Sequence, residues 1–162
     1  MTRSQVLEFL REHSLAVQAS VSPSGAPQAA VVGFVASDNF ELFFDTLHVT
    51  RKMYNLRHNP RIAFVIGGWA AGDERTVQYE GVADEPVGTE LERLKQLYFA
   101  RFPDGPARQT WPGLVYVRAR PIWLRYSDFN RAPPEIVEFG LADLTGPAWP
   151  GSEAHPSRCG HS

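Results

Sequence analysis

Phe43-Phe44-Asp45-Thr46-Leu47-His48-Val49-Thr50-Arg51-Lys52 runs directly into Met53-Tyr54-Asn55-Leu56-Arg57-His58-Asn59-Pro60-Arg61. An apolar run ends in a polar turn, and a short helical pattern follows. The spacing predicts a strand over Phe40 to Asp45 and a helix over Thr50 to His58. Asn59-Pro60 stops that helix, because the residue before a proline is pushed out of the helical region. Two adjacent cations at a helix start are unfavourable by themselves, since the N-terminus already carries partial positive charge. The same charge and its free N–H groups suit a phosphate. A solvated surface turn is the competing reading of these residues taken alone. Arg57, His58 and Arg61 extend the positive character, and an exposed helix face accounts for them equally well.

Working outward, the pattern alternates between strands and turns. Val6, Phe9, Leu10 and His13 follow helical spacing and predict a helix over 3–13. Leu15 to Val21 alternates as a strand, Ser22-Pro23-Ser24-Gly25 is a turn, and Pro27 to Ala36 is the returning arm of a hairpin. Downstream, Arg61 to Gly67 and Arg75 to Ala83 read as strands. Thr89-Glu90-Leu91-Glu92 fits a capping box that opens a helix to about Arg101. Leu114 to Arg118 and Pro121 to Ser127 read as one bent strand or two short ones. The prediction is a mainly β chain with inserted helices, in which about six short antiparallel strands favour a barrel. We expect one domain over 1–144 and a flexible or disordered tail over 145–162, where Pro, Gly, Ser and His replace periodicity.

Bulk properties exclude several classes. The chain has 162 residues, a net charge of −2 and a single cysteine. That balance gives no electrostatic footprint for nucleic acid. No apolar run approaches the ~20 residues that span a bilayer, and Met1 to His13 lacks a signal-peptide core. Cys159 has no internal disulfide partner, so a reducing cytoplasm is the expected location. No cluster has metal-ligand spacing, and none is expected to bind one: His155, Cys159 and His161 lie in the tail. Gly67-Gly68-Trp69-Ala70-Ala71-Gly72 lacks the strand–glycine–helix context of a dinucleotide fingerprint and reads as a loop.

The whole arrangement resembles the pyridoxamine 5′-phosphate oxidase-like flavoproteins over roughly residues 5–128. The resemblance rests on the order of Gly25-Ala26-Pro27-Gln28, Phe43-Phe44-Asp45-Thr46, Thr50-Arg51-Lys52, Asn55-Leu56-Arg57-His58-Asn59-Pro60-Arg61 and Val77-Gln78-Tyr79-Glu80-Gly81-Val82-Ala83. It implies a six-stranded antiparallel split barrel that binds flavin mononucleotide (FMN) as a homodimer, with the sites at the subunit interface. Arg51 and Lys52 match the family's phosphate-gripping cations. Thr50 matches the neighbouring hydroxyl, and Asp45 and Thr46 the end of the third strand. Val31, Val32, Gly33 and Phe34 match the segment beside the isoalloxazine ring. Gln78, or its same-face neighbour Thr76, matches a fifth-strand amide, and Trp123 lies near the strand that reaches the ring from the partner.

True oxidases of this family end in an arginine- and histidine-bearing segment that holds the substrate phosphate. Here Arg125-Tyr126-Ser127-Asp128-Phe129-Asn130-Arg131 stands in that region. The resemblance therefore implies an FMN-dependent oxidoreductase without naming its substrate or any catalytic residue. A relative of the same fold that binds deazaflavin F420 or haem, and a flavin-binding module without turnover, are the alternatives. His48 adjoins the site, and Trp69 and Trp111 are further candidates to wall a planar ligand, although aromatic residues more often serve a core or an interface.

Overall fold

The computed structural model describes residues 1–145. Helix α1 (Arg3–Glu12) opens the chain, capped by a reciprocal Thr2–Gln5 box. It buries Val6, Phe9 and Leu10. A hairpin follows: β1 (Leu15–Val21) and β2 (Pro27–Gly33). Their burial alternates residue by residue, so Ala16, Gln18 and Ser20 face the core while Leu15, Val17 and Ala19 face out. Next come β3 (Val35–Ala36), β4 (Leu42–Leu47), α2 (Arg51–His58), β5 (Arg61–Gly67) and β6 (Arg75–Asp84). Helices α3 (Gly88–Arg101) and α4 (Gly105–Arg108) lead to the long β7 (Leu114–Asp128), then β8 (Glu135–Gly140) and α5 (Leu141–Thr145).

All strand pairings are antiparallel, in the order β2-β1-β5-β6-β7-β4-β3, with β8 also on β7. The curled sheet forms a half-barrel. Phe34, Phe44, Phe64, Tyr79 and Tyr126 fill it, each almost wholly buried. Phe64 meets both Phe44 and Tyr79 edge-on, the arrangement that aromatic quadrupoles favour. A second cluster of Val35, Phe43, Leu94 and Tyr98 packs α3 onto the opposite face of β4.

The mainly β antiparallel class is as expected, but the strand count is eight among the described residues rather than six. Two causes account for this. Phe34 spends its N–H on Ser14, after which the chain leaves β1 and pairs briefly with β4 as β3. Strand β8 exists because β7 changes partner. Residues Leu114 to Ala119 pair with β4, and Trp123 to Asp128 pair with β8. The change falls at a bulge, where Glu80 opposes Trp123 while Gly81 opposes Pro121. Proline lacks the ladder donor, and a bulge absorbs that loss while bending the strand.

Two further expectations are corrected. Helix α3 begins at Gly88 with Val87 as its cap residue and no side-chain cap bond, so no capping box forms at Thr89. The tail expected from residue 145 lies outside the described residues, save Thr145, which closes α5.

Candidate functional site

The corner between β4 and α2 is built from backbone first. The Thr50 hydroxyl donates to the Leu47 carbonyl at 2.9 Å and makes no cap bond to the helix. The N–H groups of Arg51 and Lys52 find no backbone acceptor among the described residues. A helix start whose first amides are left open is an anion site in waiting.

Side chains complete it. The half-buried Lys52 ammonium donates to the Thr46 hydroxyl at 3.3 Å, and the Thr46 and Thr50 hydroxyls lie 3.4 Å apart. Arg57 and Lys95 pair with Glu85 and Glu92, whereas among the described residues Arg51 and Lys52 reach no carboxylate. Burial pushes the Lys52 pKa below the ordinary lysine value. That is the behaviour of a desolvated cation without a counter-charge.

Strand β2 supplies the second part. It ends the sheet, so its outer edge pairs with no strand among the described residues. Phe34 donates its N–H to Ser14, and the register places Gly33 opposite Leu15, Val32 opposite Ala16 and Val31 opposite Val17. In an antiparallel ladder the bonded pairs alternate. Val32 and Ala30 therefore turn their N–H and C=O toward β1, while Val31 and Gly33 turn theirs to the open edge. Such an edge is a row of unpaired donors and acceptors. Val32 and Phe34 contribute buried side chains to the core instead. Gly33 also abuts the Phe102 ring, which a Cβ would approach to 3.1 Å.

The remaining candidates sit elsewhere. Asp45 lies on the other face of β4 from Thr46. Its two oxygens accept from the Tyr98 hydroxyl and the Arg108 guanidinium, each at 3.0 Å. This ties α3 and α4 to the strand, and burial next to Asp45 raises the Tyr98 pKa. Gln78 is exposed on the outer face of the sheet, in the row Val31, Val17, Val65, Gln78. Three strand spacings put it roughly 14 Å from Val31. Trp123 lies on the same face, opposite Glu80. His48 belongs to the turn: its N–H donates to Gly113 O, and its ring covers the space beside Gly113, where a Cβ would clash with it. Trp69 and Trp111 are exposed in loops.

Sequence reasoning missed a buried polar group beneath the corner. Asn55 is 4% exposed, and its Nδ2 donates to Ser20 Oγ at 3.1 Å and to Gln28 Oε1 at 3.0 Å. The available signal was an asparagine inside the apolar stripe of Met53 and Leu56. No group of metal-ligating side chains occurs among the described residues, and no described helix is long and apolar enough to cross a membrane.

A half-barrel with an open sheet edge and an anion-ready helix start defines the class as a split-barrel protein with a candidate phosphate corner. The profile of the pyridoxamine 5′-phosphate oxidase family matches residues 2–128, and the chain belongs to that family. A pyridoxine/pyridoxamine 5′-phosphate oxidase of Burkholderia mallei is 28% identical over 159 residues, covering 92% of this chain and 70% of that protein. Among solved structures, a pyridoxamine 5′-phosphate oxidase-related, FMN-binding protein from Nostoc punctiforme aligns with a TM-score of 0.67 at 13% identity. That alignment covers 88% of this chain and 91% of the other. A heme-binding protein from Mycobacterium smegmatis aligns with a TM-score of 0.73 at 16% identity, over 86% of this chain. This chain spans only 58% of that protein's length.

Proposed function

We propose that this chain is an FMN-binding flavoprotein and an oxidoreductase. In this reading Arg51, Lys52 and the open amides of α2 hold the phosphate. The edge groups of Val31 and Gly33 meet the polar rim of the ring. The observation that carries it is the pair of cations without carboxylate partners at an uncapped helix start. Arg51 is exposed and free to reach a ligand, whereas the half-buried Lys52 is a charge that persists only when something compensates it, and a phosphate supplies both the charge and the acceptors for free N–H groups. The residues present fit the group's chemistry: cations and hydroxyls at one end, backbone donors and acceptors along an edge. When bound, FMN supplies the hydride or electron transfer, and the protein orients it and excludes water.

A second copy of the chain completes the pocket. Support for this comes from the outer face of β2, β1 and β5, where Leu15, Val31 and Val65 are 51%, 63% and 41% exposed beside Val17, Ala19, Ala29 and Ala63. An apolar sheet face of this kind marks an interaction surface.

The test is the cofactor that co-purifies with the full chain, followed by titration of FMN and of riboflavin, which lacks the phosphate. A flavin spectrum is expected, with FMN preferred. Arg51→Ala and Lys52→Ala should each weaken FMN about tenfold and leave riboflavin nearly unchanged. A Soret band in place of a flavin spectrum would favour the haem alternative. Equal affinity for FMN and riboflavin would remove the phosphate assignment.

A further inference from the structure

Helix α2 has eight residues, too few to be stable by itself. Its orientation comes from what it docks against. Met53 and Leu56 dock by apolar burial, which is non-directional. Asn55 is the buried polar group on the same helix, and hydrogen bonds are directional. Its two amide protons go to two different strands. Ser20 on β1 and Gln28 on β2 are direct cross-strand partners, and Asn55 bonds to both. One side chain thus clamps the helix to the end of the hairpin.

Lys52 precedes Asn55 by three residues, which places both on one side of the helix. Each residue of helix rotation is ~100°, so a slip by one position would swing Lys52 away from Thr46. The far end of α2 is anchored independently. Arg57 makes a two-pronged pair with Glu85 at 3.0 and 2.8 Å, and Pro60 O accepts from Ala83 N–H.

We infer that Asn55 is a positioning residue for the phosphate corner: held by Ser20 and Gln28, it fixes the rotation of α2, so that Lys52 stays on Thr46. This rests on the FMN reading above. A buried asparagine with a purely structural role would lower stability without discriminating between ligands. A positioning role acts through the phosphate alone.

The test measures FMN and riboflavin affinity on the full chain by fluorescence, with thermal melts in the absence of flavin. The proteins are wild type, Lys52→Ala, Asn55→Leu, Ser20→Ala and the Lys52→Ala/Asn55→Leu double variant. Asn55→Leu should cut the preference for FMN over riboflavin about tenfold while riboflavin affinity stays within about twofold. The double variant should be no worse than Lys52→Ala, because both changes remove the same contact. Ser20→Ala, which breaks one bond of the two, should move the preference the same way by less. The inference is overturned if a folded Asn55→Leu keeps the wild-type preference, or if its effect adds to that of Lys52→Ala. Should Asn55→Leu fail to melt cooperatively, Ser20→Ala decides, and an unchanged preference overturns the inference. If wild type itself shows no preference for FMN, the phosphate reading fails and this inference falls with it. If wild type and Lys52→Ala behave as expected and only the Asn55 and Ser20 variants do not, the phosphate reading stands and Asn55 is structural.

Discussion

Lys52 carries the clearest electrostatic consequence at the scale of one residue. Burial disfavours its charged form and lowers its pKa in the free protein. Below that lowered pKa the folded state holds a desolvated cation, which is a cost. The cost is relieved as pH rises through the window between the lowered folded value and the ordinary unfolded one. A bound phosphate acts in the opposite sense, because it favours the cation. FMN affinity should therefore be steady while Lys52 is charged and fall as pH rises through its lowered pKa. Riboflavin titrated alongside should lack that alkaline limb, and Lys52→Met should abolish it for FMN. An alkaline limb that survives in Lys52→Met would assign it to another group. The cations themselves were legible as an oddity of the sequence, since like charges crowd a helix start there. Asp45 was less legible. It adjoins Thr46 in the chain, yet strand alternation turns its carboxylate to Tyr98 and Arg108 on the opposite face.

At the scale of the element, the β4–α2 turn is held from outside by the turn that opens β7. Gly113 has φ +77°, and its missing Cβ leaves the space that the His48 ring fills. Gly113→Ala should cost about 2 kcal/mol or more, from a left-handed backbone and a side-chain clash together. A thermal melt measures it. Combining it with His48→Ala should recover the part due to the clash and leave the backbone part. Full recovery would show that backbone strain is negligible at this position. Most elements were readable locally: β1 and β6 alternate, α1 carries an apolar stripe, Asn59-Pro60 ends α2, and β2 and β5 read as apolar runs, although Val31 and Val65 on their outer face are exposed. Strand β8 was not. Its Pro-rich approach reads as loop, and its Val137 and Phe139 gain meaning only because β7 bends away from β4 and needs a new partner.

At the scale of the molecule, the proposed second copy would cover the apolar outer face beside the edge of β2, which is unpaired among the described residues. A charge in the middle of that face should prevent a second copy from covering it. Val65→Glu is expected to sediment at half the mass of the wild type and to bind FMN more weakly. Val65 lies outside the core, so the melt of the isolated chain should move little. A wild-type protein that already sediments as a monomer would remove the second copy from the reading. A dimeric Val65→Glu would place the interface on another face.

The sequence by itself determined the antiparallel β class, the position of the short helix and the chemistry of Thr50, Arg51 and Lys52. These are local properties, set by side-chain period, turn residues and charge within a few positions. Tertiary structure decided which of those residues meet. Strand parity separated Val31 and Gly33 from Val32 and Phe34, and Asp45 from Thr46. Chain reversal brought Asn55 against Ser20 and Gln28, residues 35 and 27 positions away. Such contacts depend on register and docking angle, which arise from the packing of the whole barrel and leave no trace in any single window of sequence.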